Sequence, residues 1–360
     1  MFFNKNNKED TNTDFTSCVG VDIGTYAIKI IQIKKESNKL FIETYGELEL
    51  ASYDSLPPGS ISNIGEEKMI NAINDLIRAS KITSNNYIFS IPMSECFVSS
   101  INIPKVSDKE LSNLLPIEAR KYLPLPISEV KLNYWRNNIN TSDESKEDVI
   151  VLAAIKNSVF DMYERIVKRL NITNYSFEIE AVSETRAIAL SLPNEEIIFS
   201  INIGGKVSFI SLIRNNVIVA TNIIQKGSYN NTFQISKALS LSIDVAEEAK
   251  RVFGYFGDDS SPHLAEIMSL ASFPLFDEAK SLLFSFERKY NIEIQKVVIS
   301  GGGALPKGII NILSKFLGKK IILLEPFSQF SLPENVREKS KEISSKYSIV
   351  TGLSLKNFFN

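Results

Sequence analysis

Three short glycine-containing segments carry the residue types best suited to binding phosphate. They are Asp22-Ile23-Gly24-Thr25, Asn202-Ile203-Gly204-Gly205-Lys206 and Gly301-Gly302-Gly303. Glycine lets the backbone approach a ligand with no Cβ in the way, and N–H groups in a tight turn can surround an anionic oxygen. Each segment alone could be an ordinary turn, but the three together predict a site for a ligand that carries several phosphates.

The first two segments are copies of one local pattern. In each copy a β-rich stretch enters the glycine turn, a second stretch leaves it, and a polar turn leads to a third. The copies begin about 180 residues apart in a chain of 360 residues. This repeat predicts two similar domains whose turns face each other and hold a polyphosphate between them.

The third segment has a different setting, because a short apolar strand precedes it and an amphipathic helix over residues 309–317 follows it. Glycines at such a junction allow close approach by a flat or charged ligand. The chain contains no G-x-x-x-x-G-K-[ST] loop and no G-x-G-x-x-G fingerprint after a strand. A nucleotide held between two domains is therefore favoured over a P-loop or dinucleotide-binding site.

The composition excludes several other classes of protein. Forty basic and 42 acidic residues leave a net charge of −2, and no Lys/Arg cluster indicates nucleic-acid binding. Cys18, Cys96 and the single histidine, His263, are too few for a disulfide scaffold or a zinc ribbon. One histidine also makes a Ser-His-Asp hydrolase a poor hypothesis.

The chain start is polar, so residues 1–16 are predicted to be flexible and no signal peptide is expected. The longest apolar run, residues 149–155, is far shorter than the roughly 20 residues needed to span a bilayer. We therefore expect a soluble, cytoplasmic protein that reaches a membrane only through a partner or a surface patch.

Residues 92–155 predict a small inserted α+β module. Ser107 and Glu110 form a capping-box signature for a helix that Pro116 should kink or shift, and strands are expected on either side. Further helices are predicted over residues 233–253 and 276–290. The predicted division is a first domain from 17–91, 156–193 and 345–360, the insert at 92–155, and a second domain at 194–344.

The phosphate-binding segments resemble the motifs of the superfamily of actin, sugar kinases and DnaK-type chaperones. Residues 22–29 resemble its first phosphate motif, 202–206 the second and 299–304 its adenosine motif, and residues 178–189 and 348–355 match its two connecting helices. The resemblance implies an α/β protein with two ribonuclease-H-like, or actin-like, domains and the small insert in the first.

Within this superfamily the chain is most similar to the PilM family of actin-like type IV pilus assembly proteins. Residues 118–126 read E-A-R-K-Y-L-P-L-P and resemble the family's E-A-x-x-Y-x-P-x-P stretch. Residues 149–156 and 352–355 also match.

This resemblance implies ATP and Mg²⁺ as cofactors. Asp22 would hold the metal through water, and Glu247 and Lys250 would meet the base and ribose. The other implied nucleotide contacts are Gly24, Thr25, Lys29, Asn202, Gly204, Gly205, Lys206, Gly301, Gly302 and Gly303.

Asn202 departs from the superfamily, which usually has Asp at this position. The amide keeps the shape of the side chain but loses its charge, so we expect ATP binding with slow or absent hydrolysis. The chain would be at most a weak ATPase, with no catalytic residue identified, and Asn202→Asp should raise hydrolysis.

The function implied by the resemblance is a scaffold of a type IV pilus, or of a related secretion or competence machine, at the inner face of the inner membrane. It would bind the N-terminal tail of a PilN-like inner-membrane protein, and homo-oligomerisation stays open. The alternatives are an FtsA-like cell-division protein, which normally ends in an amphipathic membrane helix, and a small-molecule kinase, which would need a catalytic carboxylate facing a substrate pocket.

Overall fold

The computed structural model describes residues 16–37, 39–137, 147–257, 263–332 and 340–359, so the segment predicted to be flexible lies outside them except for Thr16. The strands are β1 Ser17–Ile23, β2 Ala27–Glu36, β3 Lys39–Glu49, β4 Asn86–Ile91, β5 Cys96–Pro104, β6 Val130–Asn137, β7 Glu147–Lys156, β8 Asn174–Ile179, β9 Ile197–Ile203, β10 Ser208–Arg214, β11 Val217–Ile224, β12 Lys296–Ser300 and β13 Lys320–Leu323. The α-helices are α1 Glu66–Ala79, α2 Asp108–Ala119, α3 Asn157–Arg169, α4 Glu180–Ser191, α5 Tyr229–Leu239, α6 Ile243–Phe253, α7 Leu264–Tyr290, α8 Ile309–Leu317 and α9 Ser348–Ser354.

Two five-stranded sheets repeat one topology. Their strand orders are β3-β2-β1-β4-β8 and β11-β10-β9-β12-β13. In each, an antiparallel three-stranded meander is joined through its first strand to two parallel strands. The predicted repeat and the predicted α/β fold class are therefore confirmed.

Two helices, α4 and α9, connect the sheets in space. One hydrophobic cluster contains Cys18 of β1 and Phe209 of β10 together with Ile188 of α4 and Leu353 of α9. Both faces of the central strands are covered, so β1 is buried along almost its whole length. The position of one sheet relative to the other thus depends on how α4 and α9 pack.

The crossing of α4 and α9 requires glycine at residue 352. A Cβ added there would lie 1.7 Å from the Ser183 carbonyl oxygen, and one added at Gly20 would lie 2.3 Å from the Val350 carbonyl oxygen. Both neighbours are backbone atoms, which cannot move aside as a flexible side chain can. The absence of a side chain lets α9 touch α4 and β1 together.

The insert is a three-stranded sheet of order β5-β7-β6 with α2 packed on it. The predicted capping box is confirmed, since the Ser107 side chain accepts a hydrogen bond from the Glu110 N–H and the Ser107 N–H donates one to the Glu110 carboxylate. Pro116 lies in the last turn, so the alternative of a shifted start is wrong. Ser100 of β5 donates a hydrogen bond to the Val219 carbonyl oxygen, which ties the insert to the second sheet.

Two helix predictions need correction. The single helix predicted over 233–253 is two helices, α5 and α6, because Ser240 adopts a left-handed conformation with φ 53° that ends α5. The helix predicted from residue 276 begins earlier, at Leu264, because buried Leu264 and Met268 extend its core face and the helix continues through Pro274. Among all these described elements, no helix is both long and apolar enough to cross a bilayer.

We predict that Gly352→Ala lowers the free energy of unfolding by at least about 2 kcal/mol, because the added methyl collides with backbone on α4. Alanine normally stabilises a helix interior relative to glycine, so the sign itself is informative. Urea denaturation measures the effect. Gly65→Ala is the matched control, since a Cβ at this exposed position meets nothing within 4 Å. Equal stability of the two variants would contradict the proposed packing.

Candidate functional site

The three predicted segments open onto one cleft of about 830 Å³ between the two sheets. Twelve of the thirteen residues predicted to contact a nucleotide line it, the exception being Lys206, which is exposed. The twelve are Asp22, Gly24, Thr25, Lys29, Asn202, Gly204, Gly205, Glu247, Lys250, Gly301, Gly302 and Gly303.

The β1–β2 and β9–β10 turns face each other across the cleft. A Cβ on Gly205 would lie 3.0 Å from the Tyr26 Cβ and 3.4 Å from the Thr25 Oγ1. Gly24 N–H donates to the Ala27 carbonyl at 3.1 Å and closes the first turn, whereas the N–H groups of Thr25 and Tyr26 find no acceptor in the described part of the chain. These two N–H groups are available to an anionic ligand.

The second turn is fixed to the start of α5. Ser228 N–H donates to the Gly204 carbonyl and Tyr229 N–H donates to the Gly205 carbonyl, both at 2.9 Å. A Cβ on Gly204 would lie 2.5 Å from the Val207 carbonyl oxygen, so this tight turn requires glycine.

Asp22 and Lys29 are cross-strand partners on β1 and β2 and both line the cleft. Asp22 is buried and accepts a hydrogen bond from Ser90 Oγ at 2.9 Å. Burial raises the pKa of Asp22, against the opposing effect of the Lys29 charge. The Lys29 ammonium makes no hydrogen bond or ion pair with the residues described, so it is a free positive charge beside the first turn.

Asn202 lies at the centre of a buried group of side chains, which we call the Asn202 cluster: Asn202, Glu184, Ser300 and Ser348. Asn202 Nδ2 donates to Glu184 Oε1 at 2.7 Å and to Ser300 Oγ at 3.0 Å. Ser348 Oγ donates to the same carboxylate oxygen at 3.3 Å, and Ser300 Oγ also donates to it. The cluster joins β9, β12, α4 and α9.

Helix α4 carries two carboxyl groups near the cleft, those of Glu180 and Glu184. Neither is among the nucleotide contacts predicted from the sequence. Glu180 lines the cleft and accepts a hydrogen bond from Met93 N–H at 2.7 Å. Burial, with the nearby Asp22, raises the pKa of Glu180 to about 8, and burial raises that of Glu184 as well. The available signal was their spacing of one helical turn in a connecting helix. A raised pKa favours the protonated form of the Glu180 carboxyl group.

Glu247 and Lys250 line the cleft, but their charged ends are already paired. Lys250 Nζ contacts Glu247 Oε2 at 2.6 Å and donates to Ser228 Oγ and Thr232 Oγ1 at 2.9 and 2.8 Å. Burial by itself would raise the pKa of Glu247, but the nearby charges of Lys250 and Arg251 outweigh it, and the pKa lies below its usual value. The pair holds α5 against α6, which leaves less of each side chain for a base or ribose than the sequence implied.

Arg251 bridges the two sides of the cleft, and its only signal in the sequence is its i, i+4 spacing from Glu247. Its Nε contacts Glu247 Oε1 at 3.0 Å and its Nη2 contacts Glu49 Oε1 at 3.2 Å. It also donates to the Tyr26 hydroxyl. Tyr26 and Glu49 belong to the first domain, whereas Glu247 belongs to the second. Arg251 therefore connects the two domains at the cleft.

The three consecutive glycines have different roles. Gly301 adopts φ +84°, and a Cβ there would lie 2.5 Å from the Ile203 carbonyl oxygen. A Cβ on Gly303 would collide with the Ile203 side chain, whereas one on Gly302 would meet nothing within 4 Å. The loop thus packs against the second turn and leaves open space beside Gly302 for a flat ligand.

The acidic side chains at the cleft are compatible with a magnesium ion that binds mainly to the phosphates of a ligand. No group of three or more His, Cys, Asp and Glu side chains in the described ranges could hold a metal by itself. Mg²⁺ usually keeps several waters and needs only one or two carboxylates beside substrate phosphates. Asp22, next to the first turn, meets that requirement.

Solved structures share this fold. A PilM–PilN type IV pilus biogenesis complex matches with a TM-score of 0.80 and 17% identity, over 95% of this chain and 99% of that chain. The ethanolamine utilization protein EutJ of Carboxydothermus hydrogenoformans matches with a TM-score of 0.55 and 15% identity, over 94% and 89%. An MreB protein of Spiroplasma citri bound to ADP matches with a TM-score of 0.53 and 13% identity, over 94% and 95%. The predicted actin-like fold is confirmed.

The family is established by sequence. A family model described as type IV pilus assembly protein PilM matches residues 20–358, nearly the whole chain. The chain therefore belongs to the PilM family of type IV pilus assembly proteins.

Proposed function

We propose that this chain is a scaffold of a type IV pilus or related machine that binds ATP with Mg²⁺ and hydrolyses it slowly or not at all. The observation that carries the proposal is the cleft in which two facing glycine turns, the unpaired Lys29 ammonium and the open space beside Gly302 come together. The turns and Lys29 would hold the phosphates, Asp22 would hold the magnesium through water, and the third loop would border the adenosine.

Two features of the cleft support slow turnover. Asn202 has no negative charge and both hydrogens of its amide are used within the Asn202 cluster, on Glu184 and Ser300. Burial, with the nearby Asp22, raises the pKa of Glu180 to about 8 and favours its protonated form. A neutral amide cannot take a proton from water, and a protonated carboxyl group is a weak general base.

Bound ATP would act mainly on the relative position of the two domains. Its phosphates would contact both turns, and Arg251 already joins Tyr26 and Glu49 to Glu247 across the same gap. A ligand that binds only the closed arrangement stabilises it by mass action. ATP would therefore serve as a structural link between the domains.

The partner that we propose is the N-terminal tail of a PilN-like inner-membrane protein, bound beside the insert. A solved PilM–PilN complex matches over 95% of this chain. On α2, Leu111 and Leu115 are buried in the insert core, whereas Ile117 is 58% exposed and Tyr122 follows it on the surface. This exposed apolar surface would receive an extended peptide, and the chain would then sit at the cytoplasmic face of the inner membrane.

We predict that Lys29→Met weakens binding of ATP with Mg²⁺ at least tenfold, because one full charge beside the phosphates is lost. Isothermal titration calorimetry measures the dissociation constant. Lys315→Met is the matched control, since Lys315 is exposed on α8 and outside the cleft lining. Equal losses for both variants, or no loss for Lys29→Met, would argue against the proposed position of the phosphates.

We predict that Asn202→Asp lowers the free energy of unfolding by roughly 2–4 kcal/mol, because it places a second buried carboxylate against Glu184. The loss should shrink as pH falls, since one of the two carboxyl groups then takes up a proton. Adding Glu184→Gln should recover most of the stability, and both the single and the double variant should hydrolyse ATP faster than the unmodified chain.

Urea denaturation and phosphate release measure these two properties in the same proteins. Asn222→Asp, on the exposed side of β11, is the control for the charge change alone. An Asn202→Asp protein as stable as the unmodified chain would show that Asn202 does not face Glu184.

We predict that an immobilised peptide with the N-terminal tail sequence of the PilN-like protein retains this chain in the presence of ATP, and that Ile117→Lys abolishes retention. Val245→Lys, at a similarly exposed apolar site on α6, should bind normally. If the unmodified chain is not retained, or if both variants bind alike, the proposed peptide site is wrong.

A further inference from the structure

Helix α7 has an apolar face that is largely exposed in the described part of the chain. Leu270, Phe273 and Phe284 are 67%, 53% and 50% exposed, although the opposite face of the helix is buried in the core of the second domain. Single exposed apolar residues are common on protein surfaces, but three large ones on one side of one helix are a reason to look for a partner.

These residues belong to a stripe along the helix, which we call the α7 stripe: Glu266, Leu270, Phe273, Asp277, Ser281, Phe284 and Arg288. Every member is exposed. At 3.6 residues per turn, all of them fall within about 40° of the direction of Asp277 around the helix axis. The stripe is therefore one narrow surface of the kind along which two helices pack.

The chemistry of the α7 stripe is symmetric about Asp277. Leu270 and Phe284 lie equally far from Asp277, about 10 Å on either side at a rise of 1.5 Å per residue. Glu266 and Arg288 also lie equally far from it, about 16 Å on either side. Two antiparallel copies of this helix would place each Leu270 opposite a Phe284 and each Glu266 opposite an Arg288.

The two end charges are available for such a contact. Arg288 has no ion-pair partner in the ranges that the structure describes, and Glu266 has only a 3.8 Å contact with His263, in which both side chains are highly exposed. A parallel arrangement would place each end charge against the same charge of the other copy. Charge complementarity therefore selects the antiparallel arrangement.

We propose that α7 is a self-association surface, on which a second copy of this chain docks its own α7 antiparallel across a two-fold axis at Asp277. The contact is isologous, so each apolar pair and each ion pair occurs twice. Phe273 is held for this contact by an edge-to-face packing on Phe316 of α8, with ring centroids 5.5 Å apart.

The association should be weak, because one helix pair buries much less than the roughly 800 Å² per partner of a standard stable interface. Asp277 also faces its own copy on the axis, and the repulsion between like charges weakens the pair further. A dissociation constant in the range of roughly 10 µM to 1 mM is expected. Such a contact becomes effective when an assembly brings many copies close together.

Reversing the charge at either end of the α7 stripe tests the proposal on the full chain. Sedimentation velocity at protein concentrations from 10 µM to 1 mM measures self-association. Glu266→Lys and Arg288→Glu should each weaken self-association at least tenfold, because each places like charges together twice. An equimolar mixture of the two single variants should associate again, since every introduced charge then faces an opposite one. Asp277→Asn should tighten the contact.

Cross-linking provides a second measurement. Asp277→Cys should form a disulfide-linked dimer under mild oxidation, because the residue meets its own copy on the axis, and native Cys18 and Cys96 are buried. Glu248→Cys, exposed on α6, is the control and should stay monomeric. A chain that stays monomeric at 1 mM, single variants that associate unchanged, or a mixture that does not recover would overturn the proposal. A different protein bound on this face, with no self-association, would do the same.

Discussion

A buried hydrogen bond from Asn202 to Glu184 joins the two halves of this molecule. Glu184 belongs to α4, Asn202 to β9, and the serines that complete the Asn202 cluster come from β12 and α9. A buried carboxylate needs donors on its oxygen, and here three neighbouring elements supply them. Helices α4 and α9 also carry the crossing at Gly352, and β12 ends at Ser300, directly before the third glycine loop, so this contact links the connecting helices to the wall of the cleft.

The same contact explains why Asn stands at a position where the superfamily usually has Asp. With Glu184 already buried there, a second carboxylate would repel it, whereas the amide donates to it. The fold thus gains a satisfied hydrogen-bond network between its domains, and the cleft loses a negative charge that would help to organise a metal and its water. The stable contact between the domains and the proposed slow hydrolysis would then have the same physical origin.

Much of the fold could be read from the sequence, because glycine turns and strand alternation are local signals. The repeated meander, the insert and the capping box at Ser107 are confirmed for this reason. The break between α5 and α6 was missed, since the left-handed backbone at Ser240 has no glycine to mark it. Long-range pairings were also out of reach: neither the contact of Glu184 with Asn202 nor that of Arg251 with Tyr26 and Glu49 leaves a pattern in the linear sequence.

The sequence predicted the site best where the backbone conformation of glycine segments forms it. It predicted the site least well where the direction of a flexible side chain matters. The glycine segments came together in one cleft, but Lys206, next to Gly205, is exposed, and the ends of Glu247 and Lys250 are paired with each other. We propose that the cleft holds ATP without consuming it. The direct measurement is to incubate the chain with stoichiometric ATP and Mg²⁺ for several hours, isolate the protein and identify the bound nucleotide by chromatography. Intact ATP at close to one per chain is expected; recovery of ADP, or of no nucleotide, would contradict the proposal.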